Sequence, residues 1–328
     1  MLKRLLTFAL VVITPVIYSQ SVYTKTLKLM GSRFDISVVA NSELEGNSYI
    51  DMAVAEITRI EKLISSWDEQ SQTSEINRNA GIKPVMVDDE LFQLIKRAIK
   101  ISKLTNGAFD ISYASMDKVW FFDGSMKEMP TEEAIKNSVA KVGYQNIILD
   151  ETNHSVFLKL EGMKIGFGAI GKGYAADRAK ALLQSKGVTS GIVNASGDLN
   201  AWGTQPDGND WMVAIVNPLN KNNVFSWMPI HNSAVVTSGN YEKYVKINNV
   251  LYTHIIDPRT GYPATGILSA TIFTANAELA DALATSIFVM GVETGLDFVN
   301  QLNGVECIIV DKDNKIRTSK NINLKQTN

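Results

Sequence analysis

An α+β fold, with mixed but largely antiparallel sheets and packed helices, is the architecture this sequence predicts. Two observations carry it. Apolar residues recur at helical spacing in several well-separated segments. Between those segments strand-like runs arrive in pairs, rather than in the strict strand–helix alternation of a doubly wound sheet.

Taken in chain order, residues 24–39 alternate loosely around Met30-Gly31-Ser32 and read as two short strands joined by a turn. Residues 47–65 place Ala53, Ile57, Ile60, Leu63 and Ile64 on one helical face. Residues 71–81, polar and rich in Asn and Ser, are expected as loop and cap. A second helix is expected over 89–105, entered through Asp88-Asp89 and stopped at Asn106-Gly107. Residues 113–146 mix aromatic side chains with a Pro-Thr-Glu-Glu helix start at Pro130, and 155–165 read as a hairpin arm. A third long helix covers 172–186 and ends at Gly187. Strands are expected at 191–194, 211–216, 225–229, 234–237, 251–256 and 267–275. Helices follow at 279–290 and 293–302, and strands close the chain at 306–310 and 315–318. No internal repeat and no linker divides residues 21–328, which read as one domain.

Composition narrows the function classes. Hydrophobic residues make up 45% of the 328 and charged residues 20%, enough to build a core and a solvated surface. The formal net charge of −2 carries no basic surplus of the kind a nucleic-acid partner requires. The single cysteine, Cys307, sits in an apolar run and reads as a buried strand residue; one cysteine can form neither an internal disulfide nor a two-cysteine metal site. At the N-terminus, Lys3 and Arg4 precede an apolar stretch over 5–18 and a small polar exit at Ser19-Gln20-Ser21, the layout of a secretory signal peptide. Residues 1–20 are therefore assigned to export and the chain is expected in the periplasm. An uncleaved segment holding it to the inner membrane is the alternative. No cysteine near the exit could carry a lipid.

Four polar clusters interrupt otherwise apolar segments. Gly166-Phe-Gly-Ala-Ile-Gly-Lys172-Gly173 stands at a strand-to-helix junction, as a plain tight turn or as a cradle whose backbone N–H groups and helix N-terminus meet an anion. Asn194-Ala-Ser-Gly-Asp198 follows a strand and reads as an Asx-capped turn or as a nucleotide cradle. Tyr252-Thr-His254-Ile-Ile-Asp257-Pro-Arg-Thr-Gly261 holds one of only three histidines, with Asp257 and Arg259 close enough in sequence to tune it as a base. His154 and His231 lie in polar settings and read as surface residues. In Ala280-Asp281-Ala-Leu-Ala284-Thr285 a carboxylate and a hydroxyl share one face of an apolar helix. They read either as a capping arrangement or as oxygen ligands suited to a hard cation such as Mg²⁺.

In this order, the four clusters resemble the ApbE family of FAD:protein FMN transferases. Further matching stretches are Met30-Gly31, Ser65-Ser66-Trp67, residues 74–81, Thr105-Asn-Gly-Ala108-Phe109-Asp110 and Thr237-Ser-Gly239, so that the likeness spans about residues 28–318. The resemblance implies an ApbE-like fold and roles position by position. Met30, Trp67, Ala108, Phe109, Asp110, Lys172 and Ile255 match FAD-contacting positions, with Trp67 standing where the family often has tyrosine. Asp281 and Thr285 match magnesium ligands, and Ala169 and Ala284 would contribute backbone carbonyls. His254 matches the family's catalytic base. The chain departs from the family pattern at Gly166, where an acidic residue is common, and at Ser196, where glycine is common. The implied activity is Mg²⁺-dependent transfer of the FMN half of FAD to a threonine or serine of an acceptor flavoprotein, a periplasm-facing redox subunit, with release of AMP. The same residues would also serve an FAD pyrophosphatase giving FMN and AMP, or a non-catalytic periplasmic flavin-binding protein.

Overall fold

The computed structural model describes residues 20–217, 220–239 and 244–322. The export segment assigned to residues 1–20 lies, but for Gln20, outside the described residues. The chain opens with the antiparallel pair β1 (Ser21–Leu29) and β2 (Ser32–Ala40). Their two-residue connection, Met30-Gly31, takes positive φ at both positions (49° and 71°), the geometry that matches the twist of a hairpin. Helix α1 (Glu43–Ile64) follows, capped by Ser42, whose hydroxyl accepts the Glu45 N–H, and it buries Ile50, Ala53, Ile57 and Ile60. Residues 71–81 are not the loop their polarity suggests. Ser71 caps a short helix, α2 (Gln72–Arg78), which buries Ile76 and Ser74; the capping hydroxyl and one core contact outweigh the polar composition.

After β3 (Val85–Met86) comes α3 (Asp89–Leu104), stopped by Asn106 and Gly107, both at positive φ. A 3₁₀ turn covers Ile111–Ser115, and α4 (Glu132–Ser138) is capped by Thr131. Strands β4 (Ile147–Asp150) and β5 (Ser155–Leu158) form a small sheet with β3. Helix α5 (Gly171–Ser185) leads to β6 (Gly191–Ala195) and β7 (Asp198–Trp202), a hairpin whose turn is again a positive-φ pair, Ser196-Gly197. Then follow β8 (Trp211–Asn217), β9 (Asn220–Ile230), β10 (Ala234–Gly239), β11 (Tyr244–Ile247) and β12 (Val250–Thr253). The chain continues through β13 (Ile267–Thr274), α6 (Ala277–Met290), α7 (Val292–Val299), β14 (Glu306–Asp311) and β15 (Ile316–Thr318).

The main sheet has eight strands in the order β1-β2-β6-β7-β10-β13-β14-β15, each paired antiparallel to its neighbours. Helices α1, α5 and α6 lie side by side across it: α1 on β1 and β2, α5 on β6 and β7, α6 on β10 and β13. The strand period of two splits the side chains between two layers. Phe34, Ile36 and Val38 face the α1 and α5 core, whereas Val39, Leu199, Val235 and Ile308 pack with Trp211, Val213 and Ile230 of the β8–β9 hairpin. Cys307 is buried under α6, and burial pushes its thiol up to about 11, so it is an inert part of the packing.

Candidate active site

One end of this sheet opens into a cavity of about 350 Å³. It is lined by Lys172 at the start of α5, Asp281 and Thr285 of α6, the last residues of β10, the β6–β7 turn, and His254 in the segment after β12. These residues are far apart in the chain and meet because antiparallel strands bring the α5 N-terminus, the β10 end and α6 to the same edge.

The closest part of the site is the α5–α6 contact. The Gly173 N–H donates to Asp281 Oδ2 at 3.2 Å. A Cβ on Gly173 would lie 2.1 Å from the Ala277 carbonyl oxygen, so only glycine allows the two helices to approach this far. The contact is held from the other side by Asp177, whose carboxylate accepts the Ala277 and Glu278 N–H groups at 2.8 and 2.9 Å and the Asn200 side-chain amide at 2.5 Å. The α6 N-terminus is thus capped from α5, and Asp281 and Thr285 lie beyond the first turn, so the capping reading of that pair does not hold.

Asp281 is only 4% exposed. Burial raises its carboxyl pKa, opposed by the charge of Lys172 and by the Gly173 N–H. Lys172 itself is ion-paired to the buried Asp198. Thr285 lies one turn beyond Asp281, its Oγ1 3.5 Å from Ser238 Oγ. A buried carboxylate, a hydroxyl and nearby backbone carbonyls form an all-oxygen donor set, which fits a hard divalent cation; no cluster of three His, Cys, Asp or Glu side chains exists among the described residues to fit a softer one. Ser32 Oγ, buried and on the cavity lining, has no hydrogen-bond partner among the described residues and is available to a ligand. Such an orphan costs about 1–3 kcal/mol unless a ligand satisfies it.

Nine of the sequence-predicted residues line the cavity: Ala108, Phe109, Asp110, Ala169, Lys172, His254, Ile255, Asp281 and Thr285. Asp110 lines it with its carboxylate already engaged. Oδ1 accepts the Ser112 N–H and hydroxyl at 2.8 and 2.7 Å and Oδ2 the Tyr144 N–H at 2.7 Å, while burial pushes its pKa up. Its side chain shapes the 3₁₀ turn. Met30 stands just outside the lining set: its N–H donates to Glu61 Oε2 at 3.0 Å, and its Cε lies 3.7 Å from the position a Cβ on Gly171 would take. Trp67 is 93% exposed, next to Ser66, whose Oγ would be 3.9 Å from a Cβ on Gly166. It is an exposed ring, not a core residue. Ala284 is fully buried with Leu283 and Ile287 and does not reach the lining.

The His254 segment differs from its sequence reading. The strand expected to run to 256 ends at Thr253, and Ile256 makes only an isolated bridge to Pro263. The Thr253 hydroxyl accepts the Ile255 N–H at 3.3 Å and turns the chain, which leaves His254 half-buried in a bend facing the cavity. Asp257 is clasped by Arg259 through Nε and Nη2, both at 2.8 Å, and anchors the following turn. Trp120 Nε1 donates to the Gly261 carbonyl at 2.9 Å and fixes the end of that turn. His154 and His231 are exposed, His154 stacked on Phe92 and His231 beside Asp210. In the second cluster, Asn194 Oδ1 accepts the Gly197 N–H at 2.8 Å, an Asx-type turn that also puts Ser196 and Asp198 on the cavity wall. Sequence reading missed Ser32, Tyr113 and Asp177. Of these, only Ser32 adjoined a flagged motif.

Helices ranged over one face of an antiparallel sheet, with a cavity lined by Lys172, Asp281 and Thr285 where two helices touch, are the frame in which the chain compares with known proteins. The sequence profile of the ApbE family matches residues 30–309, and the chain belongs to that family. It is 31% identical to the FAD:protein FMN transferase of Klebsiella pneumoniae over 90% of this chain and 91% of that protein. It is 30% identical to the FAD:protein FMN transferase of Treponema pallidum over 80% and 76%. Among solved structures, the ApbE protein of Thermotoga maritima superposes with a TM-score of 0.83 at 32% identity, covering 92% of this chain and 97% of that one. The flavinyl transferase ApbE of Pseudomonas stutzeri gives 0.81 at 25% identity, over 93% and 96%.

Proposed function

We propose that this protein is an FAD:protein FMN transferase that moves the FMN half of FAD onto a threonine or serine hydroxyl of an acceptor flavoprotein and releases AMP. The observation that carries the reading is the convergence of Lys172, Asp281, Thr285 and His254 on one cavity in a chain of this family. Asp281, Thr285 and the carbonyl of Ala169, three residues of the cavity lining, would hold Mg²⁺. The ion would neutralise charge on the FAD pyrophosphate.

Lys172, at the N-terminus of α5, binds a pyrophosphate oxygen with help from the helix dipole. The Ala108–Phe109 wall and the Trp67 ring orient the flavin. An imidazole nitrogen of His254 takes the proton from the acceptor Oγ as that oxygen attacks the FMN phosphorus. The bond from that phosphorus to the bridging oxygen breaks, AMP departs with the electron pair, and the proton passes from His254 to solvent. The reading includes export: residues 1–20 as a signal peptide, residues 21–328 as one flavin-transferase domain in the periplasm, and periplasm-facing redox subunits as acceptors. No helix among the described residues is long and apolar enough to cross a membrane.

Purified protein incubated with FAD and Mg²⁺, with and without an acceptor flavoprotein, tests the reading. Acceptor gaining the mass of FMN less one water while AMP accumulates supports it. FMN and AMP appearing equally fast without acceptor makes the protein a pyrophosphatase. FAD bound without turnover makes it a flavin-binding protein.

A further inference from the structure

The hydroxyl of Tyr113 occupies ground that Gly168 of the first cluster leaves clear. Tyr113 sits in the 3₁₀ turn Ile111–Ser115, which the Asp110 carboxylate ties to Ser112 and Tyr144. The residue is 38% exposed, and its Oη lies against the backbone that precedes α5. A Cβ on Gly168 would come within 2.4 Å of that oxygen, and one on Gly166 within 3.7 Å of it and 3.1 Å of Ala114 Cβ. Neither glycine takes positive φ, so the lack of a side chain at Gly168 serves space, and that space is filled by the Tyr113 hydroxyl.

The Gly168 N–H faces the hydroxyl oxygen. A phenol has one proton to donate, and among the described residues no hydrogen bond takes it. The residue lines the cavity together with Gly168, Ala169, Lys172 and Asp281. A phenol titrates at about 10 in water and burial raises that further, so at neutral pH the hydroxyl is a donor and not a phenolate. A neutral donor among Lys172 and an oxygen-ligated cation site suits an anionic oxygen acceptor.

We propose that Tyr113 is a substrate-binding residue whose hydroxyl donates a hydrogen bond to a phosphate oxygen of FAD beside Lys172. The assignment rests on the FAD reading given above. It also gives the Asp110 carboxylate a positioning role, since its bonds to Ser112 and Tyr144 fix the turn that carries Tyr113.

Tyr113→Phe in the full chain removes one oxygen and keeps the ring. The expected result is an FAD dissociation constant raised roughly tenfold or more, as for a lost hydrogen bond to a charged group. At saturating FAD the ³¹P resonances of the bound nucleotide should move, while the flavin absorption bands stay in place. Gly168→Ala is the second variant, because its methyl group displaces the hydroxyl without deleting it; it should reproduce the ³¹P change. Unchanged affinity and ³¹P signals in Tyr113→Phe overturn the proposal. So does a shifted flavin band with ³¹P in place, which would put the hydroxyl on the ring, or a change confined to Mg²⁺ half-saturation, which would put it on the cation. If the wild-type protein itself binds no FAD, the functional reading falls and this assignment falls with it; normal FMN transfer by an unaffected Tyr113→Phe removes this assignment alone.

Discussion

Glu90 of α3 grips Arg59 of α1 with both oxygens, at 2.7 and 3.0 Å, and takes the Tyr174 hydroxyl of α5 at 2.6 Å. Arg59 in turn holds Glu56, and Arg178 closes on Glu90 at 3.2 Å. Three helices under the site are thus tied by one carboxylate. Burial works against its ionisation, but the hydrogen bonds from Arg59 and Tyr174 and the charges of Arg59 and Arg178 outweigh burial, so its pKa lies below the ordinary carboxylate range.

That relation predicts a pH-dependent stability. Because the folded value is depressed, the unfolded chain takes up the proton first as pH falls. The stabilisation is therefore present above the unfolded value, about 4.3, and is lost as pH drops through the folded one. Glu90→Gln should unfold more easily than wild type at pH 7, by about 1 kcal/mol for a partly exposed pair. The gap should close in acid. Urea denaturation at pH 7 and pH 3 measures it, and a gap of the same size at both values would refute the assignment.

Asp281→Ala removes the side-chain carboxylate of the proposed cation site. Transfer should fall strongly and the Mg²⁺ requirement should rise. Thermal stability without Mg²⁺ should change little, since the carboxylate is one that burial already disfavours in its charged form. Mg²⁺ titration of the rate, with melting curves on the same samples, checks both parts. Wild-type activity at limiting Mg²⁺ would place the ion elsewhere.

Trp67 offers a clean separation of binding from folding, because its ring is 93% exposed. Trp67→Ala should leave the melting temperature within error of wild type. It should raise the FAD dissociation constant by roughly the fivefold that one aromatic stack of about 1 kcal/mol supports. Flavin fluorescence titration reads it, and an unchanged constant would mean the ring faces solvent in the complex too.

His254→Ala should bind FAD and Mg²⁺ like wild type but transfer FMN about 10²–10⁴-fold more slowly, the usual cost of a lost general base. The wild-type single-turnover rate should fall on the acid side, because only the neutral ring accepts a proton, and the variant should lack that limb. Loss of FAD binding in His254→Ala would instead make the residue part of the nucleotide site.

Sequence by itself determined the element types and the hairpins. The 3.6-residue spacing of Ala53, Ile57 and Ile60 specifies α1, and the pairs Met30-Gly31 and Ser196-Gly197 specify tight turns, because these signals depend only on near neighbours. It also marked Lys172, His254, Asp281 and Thr285, polar residues standing in apolar or glycine-rich runs where polarity has a cost. It misjudged residues 71–81 and the end of β12, where one hydroxyl, of Ser71 or of Thr253, redirects the backbone. Tertiary structure alone decided the rest. Asp177 looks like an ordinary polar position on α5 until α6 packs with its first turn over it, and Tyr113 has no periodicity to expose it in a 3₁₀ turn. Ser32 Oγ lacks a partner among the described residues only because the assembled fold buries it on the cavity wall. The physical reason is common to all three: their partners lie across the fold, and a contact between distant segments leaves no mark on the local pattern of either.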